Sequence, residues 1–525
     1  MIETDLLSQA HSLQKQFESE TTPSARKARG QFFTPPSVAS FMASLFTNIS
    51  DNMRVLDPGA GAGILSVAFC ERILKSKKLK TLFIELYETD SKVIDILSHN
   101  MKRCQKQLQK AGHKMSYKIN EEDFILSNSH IQKQASLFDK KKDAAKFNFI
   151  IANPPYFKIA KDSEYAKIMN HVVHGQPNIY ALFMALASDL LADNGEMVLI
   201  TPRSFCNGLY FRSFRKWYLS HMSLEHIHIF ESRSDNFHGD VLQENIITLS
   251  CRSAQQSAFV NLSSSHNKDI ESTVNARRIP SHFVIDASNA NVSINIPENH
   301  YDEDIIDVIG HLPNRFFETG LRISTGPVVS FRAKSYLLNE YDACKSTPLI
   351  SVHNVHSFST IWPIRKKNKP LAFLISETSR SLLIPNKNYV FVRRFTAKEE
   401  ARRLVASQHI KTNIRHDHLA LENHVNYIYH EDIELSEKHI FGIAAIFNSL
   451  LFDKYFRTQS GSTQVNATEI RNMKFPTLST IENIGRQIIK YGTPSSLEVE
   501  RIVSRELNIG KQLTEYLLEN SNGKD

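Results

Sequence analysis

Arg54-Val55-Leu56-Asp57-Pro58-Gly59-Ala60-Gly61-Ala62-Gly63-Ile64 decides the fold. Val55-Leu56 reads as a short buried strand. Three alternating glycines then let the backbone turn sharply and come close to a ligand. From Ile64 to Leu74 the apolar residues recur at helical spacing. Strand, Gly-rich turn and helix in this order open a nucleotide-binding α/β unit. Downstream, Thr81 to Tyr87 predicts a second strand ending in Glu88-Thr89-Asp90, with a helix from Ser91. Phe147–Ala152, Glu196–Ile200 and Asn245–Cys251 predict further strands, with a helix over Tyr180–Leu191 and a turn at Asn194-Gly195. Upstream lie a charged helix within residues 1–29, the stiff loop Gly30-Gln31-Phe32-Phe33-Thr34-Pro35-Pro36 and a helix over Ser37–Phe46. The alternation argues for a mainly parallel sheet with its ligand at the carboxyl ends of the strands.

Beyond Ser253 the alternation is lost and Ser, Asn and His become common. The sequence therefore predicts two domains, 1–253 and 254–525, which suits 525 residues with 41% hydrophobic content. The net charge of +8 permits a polyanionic partner without demanding one. Cys70, Cys104, Cys206, Cys251 and Cys344 form no CxxC pair, which argues against a zinc site or a disulfide framework and fits a reducing cytoplasm. The polar start lacks a signal-peptide core, and no apolar run reaches membrane length, so a soluble cytoplasmic protein is expected.

The glycine turn begins with Asp57, whose carboxylate can attract a cationic amino group; a tight structural turn would use the same glycines. Glu88, at the end of the second strand, can accept from both hydroxyls of a ribose. Asp90 is its neighbour and alternative. Asp123-Phe124 offers an acceptor for an adenine amino group and a ring to stack on it. Together these residues indicate an adenosine-containing cofactor. By themselves they fit NAD as well as S-adenosylmethionine.

Asn153-Pro154-Pro155-Tyr156 directly follows the apolar strand Phe149-Ile150-Ile151-Ala152. The two prolines fix their own φ angles and restrict Asn153, giving a rigid backbone at a strand end. An aromatic amino group is a poor nucleophile because its lone pair is delocalised. The Asn153 side-chain oxygen and the Pro154 carbonyl can each accept one of its N–H bonds, which favours a pyramidal, electron-richer nitrogen. Tyr156 can stack on the base. No metal is required.

With these motifs in this order, the chain resembles the gamma (TaqI-like) class of N6-adenine DNA methyltransferases of bacterial restriction–modification systems. GQFFTPP, DPGAGAG, ETD, EDF and NPPY follow the order of that class, and Asn178-Ile179-Tyr180 and Asp193-Asn194-Gly195 match its later elements. The resemblance implies a Rossmann-like α/β domain with a mixed, mainly parallel seven-stranded sheet, followed by a mixed α+β target-recognition domain. It implies S-adenosylmethionine as cofactor, capped by Thr34 and Pro35. Asp57, Pro58, Gly59 and Gly61 would hold the methionine end, Glu88 and Thr89 the ribose, and Asp123 and Phe124 the adenine. It also implies a second aromatic on the flipped base, best matched by Phe237 in NFHGDVLQENIITL, with Phe230 as competitor. The expected partners are double-stranded DNA and a separate restriction endonuclease acting on the same site, with the enzyme itself a monomer.

In the second half, Phe331-Arg332, Phe391-Val392-Arg393-Arg394-Phe395 and Tyr455-Phe456-Arg457 set aromatics beside cations. Such residues serve phosphate contacts and stacking, or equally a solvated face over a core ring. Phe441–Phe456 predicts one apolar helix, followed by a flexible polar stretch at Gln459–Asn466 whose side chains can reach bases. Ser324–Val329 resembles another target-recognition element, and DNA is expected between the two halves. His226 and His228 alternate on a strand without a third ligand nearby. Methylation of a protein glutamine amide, which NPPY can also serve, and a DNA-binding subunit without activity are the alternatives.

Overall fold

Val55 and Leu56 are fully buried in β1 (Asn52–Pro58), and Ile64 opens the predicted helix, α3 (Ile64–Leu74). The computed structural model describes residues 5–22, 33–130, 146–230, 244–265, 270, 275–287, 292–367, 369–397, 400–461 and 463–521. Among the described residues, two helices precede β1: α1 (Leu6–Glu20) and α2 (Pro36–Ser44), the latter with Pro36 at its first position, where a missing N–H costs nothing. After α3 come β2 (Thr81–Tyr87), α4 (Ser91–Lys110), β3 (Lys114–Asn120), the single turn α5 (Phe124–Ser127) and β4 (Phe147–Ala152). Then follow α6 (Glu164–Ile168), α7 (Ile179–Leu190), β5 (Leu191–Pro202), α8 (Arg212–His221), β6 (Met222–Phe230) and β7 (Asn245–Arg252).

These strands form one sheet in the order β3-β2-β1-β4-β5-β7-β6. Neighbours from β3 to β5 are parallel, and β7 runs antiparallel between β5 and β6. These seven strands are mixed and mainly parallel, as the resemblance implied, but they belong to a sheet of nine. Leu7 and Phe17 of α1, Met42 of α2, Phe69 of α3 and Leu97 of α4 share one core with Val55, Ile84, Ile151 and Val198 of the strands. The predicted turn at Asn194-Gly195 lies within β5 as an irregularity: Asn194 takes φ 59°, and the register with β4 shifts beside it.

The sheet continues past the predicted boundary at 253. β8 (Phe259–Ser265) pairs in parallel with β6, and β9 (Asn275–Pro280) pairs antiparallel with β8. The first compact unit therefore extends to Asn295, and the second runs from Ile296 to Asp525. The serine-rich composition concealed β8. Its Val260 and Leu262 are buried, while the Ser263 hydroxyl bonds both His226 Nε2 and His228 Nδ1, at 2.7 and 2.8 Å. Burial pushes these histidines down to about 4 and about 3, so both are neutral struts within the sheet.

The second unit holds a four-stranded sheet (Leu321–Thr325, Val425–His430, Tyr389–Arg393, Ala406–His409). Beside it lies a five-stranded one (Leu337–Leu338, Ala372–Leu374, Ser346–Ile350, His418–Leu421, Leu383–Pro385). The single helix predicted over 441–456 is two helices, α9 (Glu437–Asn448) and α10 (Leu450–Gln459). Ser449 breaks the run: its ψ of 147° is extended, and its hydroxyl caps α10 at Phe452 N. A Cβ on Gly442 of α9 would lie 2.0 Å from the Ile481 carbonyl of α11 (Leu478–Ile488), and one on Gly485 of α11 would lie 1.7 Å from the Lys438 carbonyl. Only glycine permits that helix crossing.

The predicted flexible stretch 459–466 is tied down among its described residues. Val465 N donates to Arg394 O, Asn426 Nδ2 to Val465 O, and Gln459 Nε2 to the Tyr455 hydroxyl. Tyr455 and Phe456 are core residues, and Arg457 pairs with Asp453, so that cluster is structural. Among the described residues, no helix is long and apolar enough to cross a membrane.

Candidate active site

The carboxyl ends of β1, β2 and β4 open onto one cavity of about 550 Å³ within the first unit. Its wall contains Thr34, Gly59, Gly61, Glu88, Thr89, Asp123, Phe124, Asn153 and Pro155 of the predicted residues. The same wall holds Phe33, Tyr87, Asp90, Glu122, Phe157, Tyr165 and Phe183.

Backbone geometry explains the glycine turn. Gly59, Gly61 and Gly63 take φ of 80°, 55° and 82°, where a side chain would be strained. The amides of Gly59 and Ala60 donate to the Tyr87 carbonyl, fastening the turn to the end of β2. The Glu88 carboxylate accepts from Gly61 N at 2.9 Å through Oε2, and from Thr89 N and Asp90 N at 2.7 and 2.8 Å through Oε1. Two oxygens offer about four acceptor positions, so Oε2 keeps one for a ligand. Asp90 instead caps α4 through Lys92 N.

Asp57 has a different setting. It is fully buried and absent from the wall, its Oδ2 accepts the Ser66 hydroxyl at 2.6 Å, and its Oδ1 has no partner among the described residues. Burial pushes this carboxyl up to about 7. Pro58 is also buried, and neither it nor Pro35, Pro154 or Tyr156 reaches the wall.

Asp123 caps α5. Its Oδ1 accepts from Ile125 N and Leu126 N, and its Oδ2 from the Tyr165 hydroxyl at 2.9 Å. Burial, then this bond, pushes the Tyr165 phenol up to about 12. The Phe124 ring stands 5.2 Å from Tyr87 and 5.3 Å from Phe183, making an apolar corner in the cavity. Phe183 was missed in the sequence, although it lies one helical turn after Ile179 on α7 and thus on the same face. Tyr165, on the short α6, gives no sequence signal.

At the other end, Asn153 Nδ2 donates to Thr34 Oγ1 at 3.1 Å. The Tyr156 hydroxyl sits between Asn153 Oδ1 and the Ile200 carbonyl of β5. Burial holds that phenol well above its ordinary range. The Tyr156 ring meets Tyr180 edge-on at 6.1 Å. Phe157, next to Tyr156, reaches the cavity wall although it was not predicted. Phe237 lies outside the described residues. Its competitor Phe230 is a core ring, packed 5.2 Å from His228.

Among the described residues, the wall carries four carboxylates, Glu88, Asp90, Glu122 and Asp123, and no Lys, Arg or His. Such a cavity attracts a cation and repels a diphosphate.

Residues 56–237 match the Eco57I restriction-modification methylase family. The chain shares its fold with the type IIL restriction-modification enzyme MmeI, solved in complex with DNA (TM-score 0.56, 11% identity, 99% of this chain and 78% of that one). It is 35% identical to the type II methyltransferase M.BsuBI of Bacillus subtilis over 88% of this chain and 90% of that protein. With M.PstI of Providencia stuartii it shares 34% identity over 95% of this chain and 96% of that protein. At this identity over nearly the whole of both chains, the chain belongs to the type II restriction-modification methyltransferases.

Proposed function

We propose that the protein transfers a methyl group from S-adenosylmethionine to the N6 amino group of an adenine extruded from double-stranded DNA. It does so as the cytoplasmic, monomeric modification enzyme of a system whose restriction endonuclease acts separately on the same site. The observation that carries this reading is Asn153 on the wall of a carboxylate-lined cavity, oriented from both sides by Thr34 and Tyr156.

The residues present fit the cofactor. The four carboxylates on the wall favour S-adenosylmethionine, a cation, over NAD, whose diphosphate they would repel. Bound there, the cofactor supplies a methyl group on a sulfonium. Glu88 would accept from the ribose with its remaining lone pair. Phe124, Tyr87 and Phe183 give the adenine ring an apolar corner, with Asp123 Oδ2 near its amino group.

At the target end, Thr34 holds the Asn153 amide so that Oδ1 faces away from the donor side. That oxygen and the Pro154 carbonyl accept the two N–H bonds of the target amino group. This localises the nitrogen lone pair and aims it at the methyl. A paired adenine cannot reach this depth, so it leaves the helix, stacked on Tyr156 and, on the other side, Phe237. The second unit recognises the target sequence.

Incubating the purified protein with plasmid DNA and S-adenosylmethionine, then sequencing single molecules, tests the reading. Methyl groups on N6 of adenines in one sequence context are expected. Modified cytosine, or no modified base, would sink it.

A further inference from the structure

Phe331 is the most exposed large apolar side chain among the described residues, at 77%. It sits on a tight turn that is fixed on both sides. Val328 and Ala333 are core residues, and Arg332 N and Ala333 N both donate to Val329 O. The Ser330 hydroxyl donates to Glu422 Oε1 at 2.8 Å, Val328 N to Leu421 O, and Asn423 N to Val328 O. The ring is thus held out in water by a framework that cannot fold it away.

Glu422 joins this turn to a second aromatic. Its Oε1 lies 3.3 Å from His424 Nδ1, and the His424 ring meets Phe395 edge-on at 4.8 Å. Phe395 is itself 38% exposed. Beside it, Arg394 donates to the Asn423 carbonyl and to Gln464 Oε1, both neutral acceptors. These groups lie together for a topological reason. Ser346–Ile350 and His418–Leu421 are parallel, so the loops after them leave the same edge, and Arg394 N bonds His424 O across the neighbouring sheet.

A basic loop adjoins the edge. Arg365, Lys366, Lys367 and Lys369 are exposed, and none pairs with a carboxylate among the described residues. His353, in the loop after Ser346–Ile350, is held below its ordinary value first by burial and then by Lys366, with Glu422 opposing. Asn354 Nδ2 donates to the Ile361 carbonyl and Ile361 N to the Asn354 carbonyl, which ties the chain entering the basic loop to the turn that holds His353. Arg332 and Lys334 are likewise exposed and without a carboxylate partner among the described residues, and the Arg332 guanidinium lies 5.3 Å from the centroid of the Phe331 ring.

We infer that this edge of the second unit is its DNA-contacting face, with Phe331 stacking on or wedging between bases and the surrounding cations on phosphates. Arginine and lysine without carboxylate partners match a polyphosphate, and exposed phenylalanine matches the apolar surfaces a duplex offers, its base faces and thymine methyl groups. Arg394, His424 and Gln464 supply donors and acceptors beside the ring for base edges. The inference rests on the reading of the protein as a DNA methyltransferase.

The test uses the full chain and a duplex oligonucleotide centred on the methylated site mapped in plasmid DNA, with binding read by fluorescence anisotropy. Phe331→Ala should weaken binding by about 5-fold to 100-fold, Phe331→Trp should bind nearly as wild type, and neither should change calorimetric affinity for S-adenosylmethionine. Lys366→Gln with Lys367→Gln should reduce the slope of log affinity against log salt by about 1 per lost phosphate contact. If wild type binds and methylates DNA while Phe331→Ala affinity and the double variant's salt slope are unchanged, this face is wrong and the methyltransferase reading stands. If wild type neither binds nor methylates duplex DNA, that reading falls and takes the inference with it.

Discussion

The carboxylates at the ends of β1 and β2 lie one strand apart in the same parallel ladder, yet their surroundings are opposite. Asp57 pairs in register with Leu86, inside the sheet. It is sealed from solvent, receives one hydroxyl and keeps an oxygen without a partner among the described residues. Glu88 lies just beyond β2, where the strand gives way to the cavity wall, and three backbone amides meet it there. Two residues of strand length separate a buried group that sets the environment from one that can touch a ligand. The end of β4 adds a third case: Asn153, a neutral group aimed by its neighbours rather than by charge.

The sharpest way to break this comparison is at β4. Asn153→Ala should lower the single-turnover methylation rate by roughly 10²–10³-fold, the usual effect of removing one preorganised contact at a reacting atom. Calorimetric affinity for S-adenosylmethionine should be nearly unchanged. Wild-type turnover in this variant would remove Asn153 from the chemistry and leave β1 and β2 as the whole site.

At β2, Glu88→Ala should weaken S-adenosylmethionine binding by roughly 10-fold to 100-fold, as expected for losing hydrogen bonds to a charged group. Unchanged affinity by calorimetry would mean that the Glu88 carboxylate serves only to fasten the glycine turn.

These contrasts also mark what the sequence could and could not reveal. β1, β2 and β4 were legible because each is a short apolar run closed by a chemically marked turn. Order along the chain then located Glu88, Asp123 and Asn153, which share the cavity wall. Tyr165 and Phe33 were not legible as site residues, since only tertiary packing brings them there. β8 escaped because serines facing buried histidines do not show the apolar alternation that marks a strand, and β9 because Asn275–Pro280 carries two arginines and one large apolar residue, Ile279. In the second unit, aromatic–cation neighbours read alike in sequence whether buried, as at Tyr455-Phe456, or held out in water, as at Phe331. Exposure separates them, and exposure is a property of the fold.

At β1 the expected effect is on stability. The Asp57 carboxyl rises from 3.8 to about 7 on folding. Between those values the folded state retains a proton that the unfolded state has released, so wild-type stability falls as pH rises, by up to about 1.4 kcal/mol per pH unit. Above about 7 both states are ionised at this residue and the slope from it ends. Asp57→Asn should lack this contribution and gain on wild type between pH 4 and 7, read as the difference in urea-unfolding free energy. Burial also pushes Glu469 and Glu500 up to about 7, but they are present in both proteins and cancel in the difference. Parallel pH profiles for the two proteins would contradict the sealed environment assigned to Asp57.

The smallest effect falls on Thr34, and it separates two roles. The resemblance makes Thr34 a cap on the cofactor, whereas its 3.1 Å bond from Asn153 Nδ2 makes it a positioning residue for the amide. Thr34→Val keeps the shape and removes the acceptor. A net hydrogen bond is worth about 0.5–1.5 kcal/mol, so a loss of roughly 2-fold to 12-fold is expected. If Thr34 orients Asn153, the loss appears in the single-turnover rate with cofactor affinity unchanged, because an amide free to rotate presents its oxygen to the target nitrogen for less of the time. If Thr34 caps the cofactor, the loss appears in S-adenosylmethionine affinity and the rate at saturation is preserved. Thr34→Ser, which keeps the hydroxyl, should restore the rate in the first case. In the second, the missing methyl group would leave affinity reduced, so the pair of variants distinguishes an acceptor from a lid even where each single loss is small.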